Sequence, residues 1–376
     1  MKILLVDVDS TWPNMAICQL YVYHLKQGDS VTLHKMNLEG YPTNKPKKVK
    51  AHGFDRVYVS VVFNYNADKF EIQGCSDVQI GGSGIDVKSQ LPKEVANQPL
   101  DYTIYAEYIQ KMFTDNPKRL KRELKNLNKF TYDFMTRGCI RSCGFCIVPK
   151  KEGGLKLVKE LDDVLSNPSY SSDKTIMFMD NNFLAYAGHM DILQELVDRQ
   201  VRCCFSQGLD IRLLTEENAR LLDKLNYHGE YTFAFDNINL LKVINRKLTL
   251  LRDVDFKGRL RFFVFVSPNH TNIKDDIFRI KFLRERGILP YVMREHTCWG
   301  SDDRYLYTDI AGYCNVPTAF KRLTLEDFLF NHSSGPRRKS NIPSLKRSLE
   351  VWKEGEAEKP WPGDNFYKLV AFKGEK

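Results

Sequence analysis

Apolar and polar positions along this chain fall into blocks that switch between two periods, two residues for a strand and 3.6 for a helix. KILLVDVD, residues 2–9, is a short apolar run closed by acids, the pattern of a buried strand whose carboxyl end meets a cleft. Residues 14–27 then place Met15, Ile17, Leu20 and Leu25 at helical spacing, with Gly28 as the stop. Strand patterns recur at 30–36, 56–64 and 78–84, the last running into the glycine loop IGGSG. Strands alternating with helices predict a parallel sheet with right-handed crossovers.

A helix is predicted across 113–129, capped by Asp115 or Asn116 and opened by Pro117, with Leu120, Leu124 and Leu127 as a narrow stripe among basic residues. From Phe130 the alternation takes the period of a (β/α) barrel. Strands are expected at 131–135, 175–180, 202–208, 231–236, 259–266 and 289–295, with helices at 157–165, 188–200, 215–226 and 275–287. Six such units form a partial barrel, and the polar clusters sit at the strands' carboxyl ends, where barrel sites are built. The pattern stops near Pro317. The expected organisation is α/β: a small domain over 1–112, a basic linker helix over 113–129, a partial barrel over 130–316 and a C-terminal extension over 317–376.

Composition narrows the setting. At 376 residues the chain has room for two domains, and 43% hydrophobic with 27% charged residues is ordinary for a globular protein. No uncharged apolar run of about 18 residues occurs, so no membrane span is expected. Acids follow the first apolar run where a signal peptide would continue, and nine cysteines accompany it, which predicts a reducing, cytoplasmic setting. The net charge of +9 concentrates at Lys45–Lys50, Lys118–Lys129, Arg337–Lys339 and Lys346–Arg347. Such clusters contact nucleic-acid phosphates or are simply solvated.

The stretch that carries chemistry is YDFMTRGCIRSCGFCIVPK, residues 132–150, with Cys139, Cys143 and Cys146 in a C-x3-C-x2-C array. Three thiolates on one loop can face a single inorganic centre. A structural zinc site closes with four ligands, and no fourth Cys or His lies nearby, the next being His189 and Cys203–Cys204. With Phe145 before the last cysteine, the array resembles the cluster loop of the radical S-adenosylmethionine (SAM) superfamily. TRGC and CIVPKKEG resemble the borders found in members with an N-terminal cobalamin-binding-type domain, and QGLDIR (207–212) resembles a string of that group.

The resemblance implies a Rossmann-like first domain, a [4Fe–4S] cluster on Cys139, Cys143 and Cys146, and SAM on the open iron. Asp180, Asn181 and Asn182 match the position that meets the SAM amino group, although they also suit a helix cap. Gln207, Asp210 and Arg212 match the position that meets the ribose and carboxylate, unless Asp210 and Arg212 merely pair. Asp236–Asn237, Ser267–His270 and Arg294–His296 are candidate substrate contacts. Cys298, beside Trp299, is a candidate cavity-facing thiol, with a buried structural cysteine the commoner reading, whereas Cys203 and Cys204 are expected to pack as small apolar groups. The histidine pattern that ligates cobalt in many cobalamin proteins is absent, so bound cobalamin stays open. Methylation, rearrangement and lyase chemistry also stay open, with flavodoxin or ferredoxin as reductant. The alternatives are a radical enzyme acting on a nucleobase or tRNA, and a non-catalytic iron–sulfur protein for electron transfer or sensing.

Overall fold

The computed structural model describes residues 1–11, 13–36, 38, 45–332 and 342–357. Over them the chain is a mixed α/β protein built on parallel sheets, and it divides into two compact units, Met1–Met179 and Asp180–Lys376.

The first unit opens with β1 (Lys2–Asp7), β2 (Ser30–Lys35), β3 (Lys47–Lys50), β4 (Arg56–Ser60), β5 (Phe70–Gln73) and β6 (Val78–Gly81). Four of these form a parallel sheet in the order β2-β1-β4-β6. Five successive residues of β1 are buried, which is why KILLVD reads as a continuous run: helices cover a parallel sheet on both faces. The helix Met15–Lys26 starts where predicted, its first turn held by the Asn14 side chain, which accepts from the N–H groups of Ala16 and Ile17. The strands β3 and β5 pair in parallel as a separate ribbon, and neither is foreseen. KKVK buries only Val49, so its lysines hide the alternation.

Two helices follow, Thr103–Met112 and Pro117–Leu127. The second is the helix expected over 113–129, shortened at both ends, and the first is an addition. Then β7 (Phe130–Asp133) pairs in parallel with β10 (Thr175–Phe178), and between them β8 (Thr136–Arg137) pairs antiparallel with β9 (Lys156–Leu157). The strand β9 takes the start of the helix expected at 157–165, which is confined to Leu161–Leu165 behind a Glu160–Asp163 capping box. The Tyr102 hydroxyl ties this region together: it donates to the Tyr132 carbonyl and accepts the Tyr132 N–H, both at 2.8 Å.

In the second unit β11 (Cys203–Phe205) precedes a parallel sheet of β12 (Tyr231–Ala234), β13 (Leu260–Val266) and β14 (Leu289–Arg294). The expected helices lie over His189–Asp198, Glu216–Lys224 and Ile273–Arg284, and an unforeseen one, Leu241–Asp253, joins β12 to β13. Buried Arg279 secures two strand ends, donating to the carbonyls of Phe235 and Phe265 while pairing with Asp276. The extension is helical where described: Pro317–Arg322, Leu325–Asn331 and Ile342–Ala357. The last of these packs on Ile273–Arg284 and buries Leu345 and Trp352. The basic stretch Arg337–Lys339 and everything from residue 358 lie outside the described residues. Among those described, no helix is long and apolar enough to cross a membrane.

Candidate metal centre

The three cysteines of the array sit on one loop that the chain closes at its base. Pairing of Thr136 with Leu157 and Arg137 with Lys156 makes residues 138–155 leave and return at one point. Next to that ladder the Arg137 guanidinium grips both oxygens of Glu152. Two cations lie over the Phe134 ring, the Arg137 guanidinium 4.5 Å and the Lys159 ammonium 5.2 Å from its centroid. Lys159 in turn donates to the buried Asp133 carboxylate at 2.6 Å. Gly138 is the tightest point. Its φ is +89°, and a Cβ there would lie 2.2 Å from the Gly154 carbonyl oxygen, so only glycine passes.

Within the loop, Cys139 Sγ accepts the Arg141 N–H at 3.3 Å. The Cys146 N–H donates to the Cys143 carbonyl at 3.0 Å. Cys143 is exposed and Cys139 and Cys146 are half-buried, beside exposed Ile140 and Ile147. Among the described residues, no three His, Cys, Asp or Glu side chains converge where one metal ion would sit. A cubane does not require such convergence, because each thiolate takes a different iron. Three thiolates on one loop are the donor set of a cluster with three protein ligands, whereas a structural zinc site closes with four. Arg137 and Glu152 were not foreseen as supports of this loop. Their opposite charges flank the array, which is the one signal the sequence carries.

In the second unit Asp180 and Asn182 are buried and Asn181 is half-buried. They do not cap the following helix, which starts at His189 behind Gly188, and Asn182 makes no side-chain cap bond to the short turn Phe183–Ala185. The Asn182 amide instead reaches Asp210 at 3.5 Å. Asp210 accepts from Arg212 through Nε at 2.6 Å and Nη2 at 2.9 Å, and it also caps the turn Ile211–Leu213. So Asn182, Asp210 and Arg212 come together, and the Asp210–Arg212 pair engages itself. Gln207 is exposed, with its amide 3.4 Å from Ser206 Oγ.

Two further groups lie at strand ends. Asp236, after β12, has a buried Oδ1 with no hydrogen-bond partner, and burial raises its carboxyl pKa against the pull of Arg279 and Arg212. After β13 and β14, Glu295 accepts from the hydroxyls of Ser267 and Thr297, while His270 Nε2 lies 3.7 Å from its other oxygen. Burial works to raise the Glu295 carboxyl. The two hydroxyls, with His270 and His296, outweigh it and leave it below the usual range. Asn269 and His270 direct their N–H groups at Ser267 Oγ, which fixes that loop. Arg294 donates to Thr308.

Cys298 takes the buried, structural of its two readings. It is buried, its Sγ lies 3.5 Å from the Val266 carbonyl, and burial pushes its thiol up to about 11. Cys203 and Cys204 are buried on β11, as small apolar groups would be.

The carboxyl edge of the first sheet is closed by its own residues. The buried Asp7 carboxylate accepts from Tyr105 at 2.8 Å, from Lys35 at 2.9 Å and from Ser10. Asp9 accepts from the N–H groups of Val62 and Phe63 and from Asn66, at 2.8–3.0 Å. The glycine loop folds onto the same segment: Gly82 and Gly84 approach the backbone of Val61 and Phe63 too closely for a Cβ. These glycines serve a backbone-to-backbone contact, and the edge fits a scaffold better than a corrinoid cradle. No family model matches this chain, and no curated protein matches it.

Proposed function

We propose that the protein is a radical SAM enzyme, with a Rossmann-like first domain and a partial (β/α) barrel. It would carry a [4Fe–4S] cluster on Cys139, Cys143 and Cys146. The observation that carries the reading is the closed cysteine loop, whose base is fixed by a strand ladder, an ion pair and a glycine at positive φ packed against the Gly154 carbonyl. Such a base would hold the three thiolates in place without a fourth protein ligand, so that a cluster bound there could offer one iron to a small molecule. A cluster held by Cys139, Cys143 and Cys146 would supply the one electron for reductive cleavage of SAM to methionine and a radical able to abstract hydrogen from a substrate.

The chain's own groups have separate parts in this reading. Asp180 and its neighbours Asn181 and Asn182 would receive the SAM ammonium, since a buried carboxylate and amide carbonyls are its natural acceptors. Gln207 would contact the ribose. Asp210 and Arg212, bound to each other, would hold the loop that presents Gln207. A flavodoxin or ferredoxin would deliver the electron. Iron and sulfide reconstitution under anaerobic conditions, followed by SAM and dithionite, tests the proposal. Formation of 5′-deoxyadenosine that disappears in Cys139→Ala, Cys143→Ala and Cys146→Ala supports it. A reconstituted cluster with no SAM cleavage would instead leave an electron carrier or sensor.

A further inference from the structure

The helix Pro117–Leu127 breaks the local rules for a surface helix, and it does so with one sign of charge. Between Pro117 and Lys129 stand six cations, Lys118, Arg119, Lys121, Arg122, Lys125 and Lys129, against the single carboxylate Glu123. Six minus one leaves five of the chain's net charge of +9 on this short segment. Its first turn holds Lys118 and Arg119 and no acid, where the helix dipole favours anions. Lys118 and Arg122, and Lys121 and Lys125, are like charges four residues apart, each pair destabilising in an isolated helix.

The geometry assigns the faces. Leu120, Leu124 and Leu127 are half-buried on the side that packs against the helix Thr103–Met112. Lys118, Lys121, Arg122 and Lys125 lie on the opposite side, all exposed, along a row of about 10 Å at 1.5 Å per residue. Glu123 is taken by the arginines, at 2.8 Å from Arg122 and 4.0 Å from Arg119. Among the described residues Lys118, Lys121 and Lys125 have no carboxylate partner. Mutual repulsion along a row that the fold keeps in helical register is relieved by a partner with regularly repeated negative charge.

We propose that this row is a docking surface for the phosphodiester backbone of a nucleic-acid strand. A strand's phosphates repeat along its length as the cations do along the helix, and their neutralisation releases counterions. The cationic face bears no aromatic or apolar anchor, which a protein partner would need at the centre of its interface. The leucines that would insert into a membrane surface are half-buried against the neighbouring helix. The surface stands whether or not the cysteines hold a cluster, and its test reads binding alone.

The probe is a fluorescent oligouridylate of about 20 nucleotides, titrated with the full chain across a salt series. Replacing Lys118, Lys121 and Lys125 together by Ala should weaken binding at least about tenfold near 0.1 M salt. It should also make the log–log salt slope shallower by about 2, since each lost contact removes about 0.7 on a single strand. A matched variant, Lys224→Ala with Lys257→Ala and Lys321→Ala, removes the same charge elsewhere and should bind like the parent. The helix itself should survive, because alanine removes the repulsion, so the melting temperature should hold or rise. Unchanged binding in the first variant, equal loss in the matched one, or a fall in melting temperature of the first would each overturn the proposal. So would equally tight and equally sensitive binding of polyglutamate, which would mark an acidic protein as partner, or binding of phosphatidylserine vesicles in place of RNA.

Discussion

A cysteine's chemistry depends on whether its sulfur ionises and can be reached, and the thiols of this chain differ in both. Cys139, Cys143 and Cys146 are readable from spacing alone, because a short loop forces its thiols to share a neighbourhood whatever the rest of the fold does. Cys298 is not readable in that way. Its place just after β14 points to a strand mouth, yet the turn His296–Trp299 rolls the thiol inward onto the Val266 carbonyl. Burial raises its pKa to about 11, so at neutral pH it stays a protonated, inert thiol. Iodoacetamide at pH 8 should therefore label Cys143 of the cluster-free native protein well before Cys298, as followed by peptide mass spectrometry. Cys298 should react only after denaturant is added. Native labelling of Cys298 at a rate near that of Cys143 would return it to the list of cavity-facing candidates.

An element's existence was legible wherever one period persisted, as in β1, the helix Met15–Lys26 and β13. It was hidden where the exposed side of a short element was charged, as in β3, or where a ladder of two residues interrupted a helical pattern, as in β9. The cysteine loop depends on that second, illegible kind of element. Gly138 fixes the loop at its entry, so Gly138→Ala must either move the Gly154 carbonyl or leave the left-handed region. Non-glycine residues pay about 1–2 kcal/mol in that region before any clash is counted. We expect Gly138→Ala to lower iron loading after reconstitution severalfold while the far-ultraviolet circular dichroism stays that of the parent. Gly144→Ala, within the same loop but with nothing within 4 Å of the added methyl, should load iron normally. Equal loading of the two variants would show that the base of the loop does not set the thiolates.

On the scale of the whole molecule, local periodicity names the elements but not which of them share a core, so the division at Met179 has no mark in composition. The same limit applies to the first sheet's function. Its order changes direction at β1, and in open parallel sheets the carboxyl ends beside such a point form the usual ligand crevice. From the sequence, Asp7, Asp9 and IGGSG are what such a crevice would need. In the fold they are already engaged: Asp7 by Tyr105, Lys35 and Ser10, Asp9 by the 62–66 segment, and the glycines by the backbone of Val61 and Phe63. A corrinoid entering this edge would have to displace charge-assisted hydrogen bonds worth about 1.5–3 kcal/mol each. It would gain no histidine on cobalt in return, since that motif is missing. Protein purified from a cobalamin-supplemented culture should thus carry iron after reconstitution but no corrinoid absorbance after gel filtration. Asp9→Ala should lower the melting temperature, because three donors on the 62–66 segment lose their acceptor. Stoichiometric corrinoid in the parent protein, weakened by Asp9→Ala, would mean that these contacts open for a ligand and that the sheet is a binding domain after all.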